Sequence, residues 1–304
     1  MLSCDPRAGF LLCLPRALSV PATQNNRKGR RGVHTIPCCR PPGPLPSSPF
    51  EYMAPKNPKG GRSAIIIGAS SGIGEALAKR MARAGYRVAL VARREAELQR
   101  VAEAINRRDR KLATIYPHDV TKFEEAPKLF QQIVHDLGGF DTIVYCSGVM
   151  PPVAKNEYSF QKDQQVFAVN VLGAMAWLNE AATRCERQES GTIAALGSVA
   201  GDRGRKGQPV YCASKAALAS YMEGLRNRLG HRGVRVVTIK PGPVSTPMTE
   251  GLKMPFMISA DEAANQIFRA LNRTRTTAYV PIIWWPIMTA IRCVPSWLFR
   301  GKDI

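Results

Sequence analysis

The chain has 304 residues, 45% of them hydrophobic, so a single domain of this length buries a full core without a disulfide or a metal. Its net charge is +20, and residues 1–52 hold seven basic and two acidic residues, which leaves +15 for the rest. This balance favours anionic ligands or surfaces, but the sequence has no zinc-finger spacing and no aromatic-basic RNA motif, so we expect no nucleic acid partner.

Residues 1–61 are predicted to form a disordered, basic and proline-rich leader. Six prolines fall within residues 37–49 and residues 25–31 are polar and basic, a composition that does not repay the entropy of ordering. Two origins stay open, an arginine-rich mitochondrial transit peptide or a translation start placed upstream of Met53. We expect a cytoplasmic protein, with a mitochondrial location as the alternative. The cysteines beyond the leader are scattered, which predicts free thiols in a reducing compartment: Cys146, Cys185, Cys212 and Cys293.

The first element of the folded region is a strand, a tight turn and a helix. Ser63 to Ile67 contains three consecutive isoleucines, which predicts a short buried strand. The turn that follows has the spacing Gly-x-x-x-Gly-x-Gly, and residues 75–82 then show helical periodicity. Glycines let the backbone approach a ligand closely, and the helix N-terminus attracts a pyrophosphate. The unit therefore predicts a phosphate-binding turn.

Strands and helices alternate from Arg62 onward. Further strands are predicted at residues 87–92, 112–116, 141–145, 191–196, 234–239 and 278–280, and helices at 95–108, 122–137 with Thr121 as cap, 160–186, 209–229 and 260–271. Nearly all-apolar strands that alternate with helices predict a parallel sheet covered on both faces. One domain over residues 62–280 accounts for the pattern, without a repeat.

The end of the second strand reads Ala92-Arg93-Arg94. An enzyme that uses NAD would place an acid there for the adenosine ribose hydroxyls, whereas a guanidinium suits a 2′-phosphate. The alternative is that the two arginines only begin a solvent-exposed helix. Beside the glycine turn, however, the pair favours NADP, with Arg93 as the residue that contacts the 2′-phosphate.

Tyr211 and Lys215 lie four residues apart on a predicted helix and therefore share a face. An ammonium beside a phenol stabilises the phenolate, so we expect the pKa of Tyr211 to fall from about 10 toward neutrality. Such a phenol exchanges a proton with an alcohol or carbonyl oxygen. Ser198 follows the fifth strand directly, at the carboxyl edge of the sheet where open α/β folds bind ligands.

With these residues in order, the chain resembles the short-chain dehydrogenase/reductase family, in its non-extended branch, over about residues 62–280. The resemblance implies a single doubly wound parallel sheet, Rossmann-like, with strand order 3-2-1-4-5-6-7. It rests on separated motifs whose order and spacing together are specific: Gly68-Ala69-Ser70-Ser71-Gly72-Ile73-Gly74, Asp119-Val120, Asn170-Val171-Leu172-Gly173, Ser198, Tyr211-Cys212-Ala213-Ser214-Lys215 and Pro241-Gly242-Pro243-Val244-Ser245-Thr246.

The resemblance also implies a role for each matching residue. Ser198 should orient the substrate oxygen, Tyr211 should exchange its proton, and Asn170 should place a water in the proton relay. Lys215 should hold the nicotinamide ribose and tune Tyr211. Asp119 should contact the adenine and Thr246 the nicotinamide carboxamide, within a cofactor set of Gly68, Ser70, Ser71, Gly72, Ile73, Gly74, Arg93, Asp119, Val120, Asn170, Tyr211, Lys215, Pro241, Gly242, Val244 and Thr246.

The chain departs from the family after the fourth strand, where the usual Asn-Asn-Ala-Gly is replaced by Tyr145-Cys146-Ser147-Gly148. The asparagine that would tie neighbouring strands is missing, so that contact must be replaced or lost. Cys146 is expected to be a small buried thiol that packs as an apolar residue, with a redox role as the alternative. The four histidines do not cluster, so no metal site is expected, and His118 is given a packing or surface role.

The C-terminal segment, residues 281–304, continues an apolar stretch that runs from Tyr279 to Phe299 and is broken by three prolines. The prolines and Arg292 argue against a membrane span. Two alternatives stay open. The stretch covers the cleft or a subunit interface, or its tryptophans rest on a membrane surface with the help of Arg292, Arg300 and Lys302.

The sequence thus predicts an NADP(H)-dependent oxidoreductase that moves a hydride between the nicotinamide and a carbonyl or alcohol carbon of a small, hydrophobic substrate. A homodimer or homotetramer and a peripheral membrane contact are further expectations. The alternative is a catalytically inactive NADP-binding sensor on the same fold. A sugar-nucleotide epimerase of the extended branch is disfavoured, because the glycine spacing differs and a large substrate domain is absent.

Overall fold

A computed structural model describes residues 61–107, 111–154, 156–251 and 254–300. Its main sheet has seven parallel strands in the order β3-β2-β1-β4-β5-β6-β9. This confirms the predicted order, with β9 as the seventh strand of that sheet. The strands are β1 Ser63–Ile67, β2 Arg87–Ala92, β3 Ala113–Pro117, β4 Thr142–Tyr145, β5 Thr192–Leu196, β6 Arg235–Pro241 and β9 Thr277–Val280. A separate two-stranded pair, β7 Val244–Ser245 with β8 Ile258–Ser259, follows β6.

Helices cover both faces of the sheet, as a doubly wound fold requires. Successive residues of a strand point to opposite faces. Ile65 and Ile67 therefore belong to a core with α3, α5 and α6, while Ile66 belongs to a core with α1, α2 and α7. The helices are α1 Gly72–Arg83, α2 Glu95–Asn106, α3 Ala126–Asp136, α4 Phe160–Phe167, α5 Gly173–Gln188, α6 Pro209–Leu229, α7 Ala260–Leu271, α8 Trp284–Cys293 and α9 Ser296–Phe299.

Two sequence-based expectations about the helices need correction. Thr121 does not cap α3, because its amide and hydroxyl both donate to the Asp119 carboxylate and a 3₁₀ turn, Phe123–Glu125, precedes the helix. The helix predicted at 160–186 instead consists of α4, a π-helical turn at Ala168–Leu172, and α5. Such turns carry one extra residue per turn, which hydropathy periodicity does not reveal.

Several expectations concern residues that the structure does not describe. The predicted leader lies outside the described residues except for Gly61, and so does Lys302 in the C-terminal segment. Within the described ranges, no helix has both the length and the apolar composition to cross a bilayer.

Candidate active site

A cleft of about 420 Å³ opens at the carboxyl ends of the strands. The parallel arrangement brings the residues that follow each strand to this one edge, although they are distant in sequence. Most of the predicted site residues line the cleft: Gly68, Ser70, Ser71, Gly72, Ile73, Gly74, Arg93, Val120, Ser198, Tyr211, Lys215, Pro241, Gly242, Val244 and Thr246. Asp119 and Asn170 are not part of its lining.

The glycine turn between β1 and α1 is packed so closely that no side chain fits at Gly68 or Gly74. Gly68 has φ +90°, and a Cβ there would lie 2.6 Å from the amide nitrogen of Ser147. A Cβ at Gly74 would overlap the carbonyl oxygen of Gly68. Gly72 has φ +57° and faces Thr246 from the loop after β6. The turn therefore presents backbone to the cleft at the N-terminus of α1, which suits an anionic group.

Two arginines at the end of β2 face this turn in different ways. Arg93 is largely exposed, and its Nη1 lies 3.7 Å from Oδ2 of Asp119. Arg94 donates from Nη2 to the hydroxyls of Ser70 and Ser71, at 3.0 and 2.8 Å. Both arginines line the cleft. Sequence reasoning singled out Arg93 alone, although the Arg93-Arg94 dipeptide contained the signal for both.

The segment after β3 reaches the cleft through the neighbours of Asp119 rather than through Asp119 itself. Burial alone would raise the pKa of Asp119, but hydrogen bonds from Thr121 and the charge of Arg93 lower it. His118 and Val120 line the cleft. His118 packs edge-on against Trp177, and burial lowers its pKa, so it is neutral at physiological pH. The assigned contact between Asp119 and adenine remains a prediction.

Ser198, Tyr211 and Lys215 converge at the opposite wall of the cleft. Ser198 lies two residues after the end of β5, and its Oγ accepts from the amide of Ala200 at 3.1 Å. Its side chain is also hydrogen-bonded to Tyr211. Lys215 is buried, donates to the carbonyl of Leu196 at 2.8 Å, and lies 5.7 Å from the centre of the Tyr211 ring. One helix, α6, carries both Tyr211 and Lys215, so their relative position follows from the helix itself.

The protonation states at this wall differ from the sequence-based expectation. Burial raises the pKa of Tyr211, and the hydrogen bond with Ser198 opposes this without reversing it. The expected lowering toward neutrality is therefore wrong for this structure. Burial also lowers the pKa of Lys215 to about 8. The physical reason is shared: both groups leave water, which penalises the charged form of each.

Asn170 lies in the π-helical turn and is fully buried behind the cleft. Its Oδ1 accepts from the amide of Val149 at 2.8 Å, and its Nδ2 donates to the Val149 carbonyl and to Ser214, each at 3.1 Å. The hydroxyl of Tyr145 donates to the carbonyl of Val169 in the same turn, at 2.6 Å. Asn170 thus holds the loop after β4, where the asparagine usual in the family is missing.

Cys146 and Gly148 complete this loop. Cys146 is a free, half-buried thiol that lines the cleft and packs against the core as an apolar residue, and burial raises its pKa to about 12. A Cβ at Gly148 would touch Oδ1 of Asn170 and Nζ of Lys215, each at 3.4 Å. The small residue keeps this part of the cleft open beside the lysine.

Comparison with known proteins identifies the scaffold. The profile of the family described as short chain dehydrogenase matches residues 62–255. The chain belongs to the short-chain dehydrogenase family. Curated relatives include an uncharacterized oxidoreductase of Staphylococcus haemolyticus, 34% identical over 190 residues, 62% of this chain and 81% of that one. Another, from Myxococcus xanthus, is 32% identical over 216 residues, covering 70% of this chain and 84% of the relative.

Solved structures share the fold. A short chain dehydrogenase/reductase family protein is 27% identical with a TM-score of 0.64, covering 72% of this chain and 95% of that chain. The structure described as ElxO with NADP bound is 18% identical with a TM-score of 0.65, covering 72% and 96%. An alcohol dehydrogenase from Thermococcus sibiricus, complexed with 5-hydroxy-NADP, is 24% identical with a TM-score of 0.65, covering 72% and 94%.

The C-terminal helices of this short-chain dehydrogenase lie beyond the residues that the family profile matches. Trp284 and Met288 of α8 pack against Val199, the residue after Ser198. The indole of Trp284 also lies directly on Gly242, where a Cβ would overlap the indole nitrogen. Phe256, from the segment after Thr246, meets the same indole edge-on at 6.1 Å. The C-terminal apolar stretch and the segment after Thr246 therefore meet at one edge of the sheet.

A polar cluster that sequence reasoning missed fixes this edge. The buried carboxylate of Asp202 is paired with Lys240 of β6 and accepts from the hydroxyl of Tyr279 at 2.8 Å. Burial and Asp202 raise the pKa of Tyr279 to about 12. Arg203 donates from Nη1 to the carbonyls of Ile291 and Val294, at 3.0 and 2.6 Å. The loop after Ser198 is thereby tied both to the last strand and to the end of α8.

Proposed function

We propose that this protein is an NADP(H)-dependent oxidoreductase that interconverts a carbonyl and an alcohol on a hydrophobic substrate. The observation that carries the proposal is the meeting of Ser198, Tyr211 and Lys215 in the same cleft as the glycine turn. A cleft that only bound a nucleotide would have no need of a buried lysine and a hydrogen-bonded Ser–Tyr pair at its other end.

The cleft fits a nicotinamide dinucleotide in shape and charge. The exposed backbone at Gly68 and Gly72 suits the pyrophosphate, and the two arginines at the end of β2 suit a 2′-phosphate. The fold is shared with proteins whose structures hold NADP or 5-hydroxy-NADP, which supports the same cofactor class. When bound, the nicotinamide supplies or accepts the hydride.

In the proposed mechanism Tyr211 gives a proton to the substrate oxygen during reduction and takes it back during oxidation. Its raised pKa keeps the phenol protonated, which is the form that a reductase needs. Ser198, which already hydrogen-bonds Tyr211, would orient the same oxygen. Lys215 would bind the ribose hydroxyls, and its charge would stabilise the phenolate that remains after proton transfer. Asn170 would hold the loop after β4 and Ser214, the neighbour of Lys215 on α6, in position, with a water as the onward proton path.

A hydrophobic substrate is proposed from the character of the cleft mouth. Met248 lines the cleft, and Phe256 and Trp284 meet beside it. Large apolar groups at the entrance exclude water and favour an apolar ligand. The C-terminal helices would serve as part of this cover, and a homodimer or homotetramer is kept as a proposal from family membership.

A cytoplasmic location also stays a proposal. The mitochondrial alternative depends on residues 1–52, which lie outside the described residues, and the relatives named above are bacterial and lend it no support.

The proposal is tested with Tyr211→Phe, which removes one hydroxyl from the cleft. We expect turnover to fall by about a hundredfold or more while the NADPH dissociation constant changes by less than about threefold, because only the transition state loses its acid. NADPH oxidation would be measured against ketosteroids, fatty-acyl ketones, quinones and lipid-linked keto-sugars. Tyr221→Phe is the matched control, since it removes a hydroxyl from the same helix, and that hydroxyl donates to Asn179 and does not line the cleft.

Two outcomes would contradict the mechanism. A Tyr211→Phe protein that keeps most of its turnover would remove Tyr211 from its role. A wild-type protein that binds NADPH tightly but reduces no member of the panel would favour the catalytically inactive sensor.

A further inference from the structure

A second cavity, of about 390 Å³, lies beside β9 and shares no lining residue with the cleft. Three of its lining residues are arginines, Arg269 at the end of α7 and Arg273 and Arg275 in the loop that leads to β9. Pro281 and Ile282, at the start of the C-terminal segment, form an apolar side of the same cavity.

The charge of this cavity is not neutralised by the described part of the chain. None of its lining residues is acidic, and Arg269, Arg273 and Arg275 form no ion pair with any described residue. Residues 263–300 as a whole hold five arginines and neither aspartate nor glutamate. Guanidinium groups that have no carboxylate partner present a fork of donors that matches phosphate oxygens.

The loop that carries Arg273 and Arg275 is held in place by hydrogen bonds from α6. Arg226 of α6 donates to the carbonyl of Thr276 at 2.8 Å and to the hydroxyl of Thr238 at 3.0 Å. The backbone at this point is therefore held against the sheet, and the arginines project from a fixed support. A preorganised cluster loses less entropy on binding an anion than arginines on a free segment would.

Exposed apolar side chains occur in the C-terminal segment, where Ile282 lines the cavity and the amide of Trp285 donates to the carbonyl of Ile282 at 2.9 Å. Ile282 is 55% exposed and Trp285 57% exposed, and the short helix α9 adds Trp297 at 74% exposed. Trp285 and Arg292 lie seven residues apart on α8 and so share a face. Tryptophan and isoleucine beside unpaired arginines are the combination that rests at the boundary between phosphate headgroups and acyl chains.

We infer that Arg269, Arg273 and Arg275 bind the phosphodiester headgroups of an anionic phospholipid bilayer, while Ile282, Trp285 and Trp297 enter its interfacial layer. A nucleic acid would satisfy the arginines but would leave the exposed isoleucine without an apolar partner. The absence of a membrane-spanning helix in the described ranges is consistent with a surface contact. The inference does not depend on the proposed oxidoreductase activity.

The same surface has a consequence for catalysis that does rest on the proposed function. A neighbouring side of α8, with Trp284 and Met288, packs on Val199, next to Ser198, and Arg203 ties the end of that helix to the same loop. A bilayer that holds the outer face of α8 would therefore lie close to the cleft and present membrane-dissolved substrates to it.

The experiment measures co-sedimentation of the full-length protein with vesicles of phosphatidylcholine, with and without phosphatidylglycerol. The wild type should bind the anionic vesicles far more strongly than the neutral ones, and less at high salt. The triple variant Arg269→Gln, Arg273→Gln, Arg275→Gln should lower the partition coefficient by on the order of a hundredfold. A matched variant with the same loss of charge, Lys128→Gln, Arg184→Gln, Arg187→Gln, lies on α3 and α5 and should lower it by less than about threefold.

A second arm tests the apolar side chains without changing any charge. Trp285→Ser with Trp297→Ser should weaken vesicle binding and remove the blue shift of tryptophan emission on binding, since the other two tryptophans, Trp177 and Trp284, are buried. Thermal melts of every variant check that the fold is kept. Residues 1–60 are present in all proteins, so any contribution they make cancels in the comparison.

Four outcomes would overturn the inference. The first is a wild type that does not sediment with anionic vesicles, and the second is a control triple variant that loses as much binding as the cavity variant. The third is a cavity variant that loses binding to inorganic phosphate in calorimetry while its vesicle binding is unchanged, which would make the cavity a site for a free phosphate. The fourth is displacement of the protein from the vesicles by duplex DNA, together with a loss of DNA affinity in the cavity variant.

Discussion

The two ends of the cleft are built in different ways. At the glycine turn the closest contacts are made by backbone, between Gly74 and Gly68 within one strand–turn–helix unit and between Gly68 and Ser147 of the loop after β4. At the edge near β9 the contacts are made by side chains from distant parts of the chain, such as Arg203 with the end of α8 and Trp284 with Gly242. The first kind of site is rigid, because the backbone atoms in contact are unable to move apart without distorting the fold. The second kind depends on side chains and on a helix, which are able to shift and relieve a clash.

The largest effect that would test this difference is expected for Gly74→Ala. The new methyl would overlap the carbonyl oxygen of Gly68, a backbone atom in the first turn of the fold. We expect the free energy of unfolding to fall by about 3 kcal/mol or more, and the melting temperature to fall by roughly 10 °C. Gly224→Ala on α6 is the control, because nothing lies within 4 Å of a Cβ there. An unchanged melting temperature for Gly74→Ala would show that the turn is loose.

A smaller effect is expected for Gly242→Ala at the other end. Its methyl would overlap the indole of Trp284, which belongs to α8 and is able to move away with that helix. In a double-mutant cycle with Trp284→Ala, the cost of Gly242→Ala should nearly disappear, with a coupling free energy of about 1–3 kcal/mol. Chemical denaturation measures the four proteins. Additive costs would mean that the indole does not rest on Gly242.

The third prediction concerns cofactor binding at the end of β2 and leaves the free energy of unfolding nearly unchanged. Arg93→Asp should reverse a preference for NADPH over NADH, because one charge-assisted contact to the 2′-phosphate contributes about 1.5–3 kcal/mol, roughly tenfold or more in affinity. Titration of both cofactors by intrinsic fluorescence gives the two dissociation constants. Arg187→Asp, on the outer side of α5, is the control with the same change of charge. Equal affinity of the wild type for NADPH and NADH would contradict the assignment of Arg93 to the 2′-phosphate.

The sequence by itself determined the features that depend on local pattern. The isoleucine run and the glycine spacing predicted β1, its turn and α1. The alternation of apolar strands and helices predicted a parallel sheet, and the family resemblance implied its strand order. The four-residue spacing of Tyr211 and Lys215 fixed their common helix face. These features follow from rules that act over a few residues, such as side-chain periodicity and glycine geometry.

The tertiary structure alone decided the features that depend on burial and on distant partners. Burial raises the pKa of Tyr211, against the direction expected from a nearby lysine, because desolvation acts on the whole environment and not on one spacing. The Asp202–Lys240–Tyr279 cluster joins a loop and two strands, and no local pattern marks its members as partners. The arginine cavity arises for the same reason, since α7, the loop to β9 and the C-terminal segment come together only when the chain is folded.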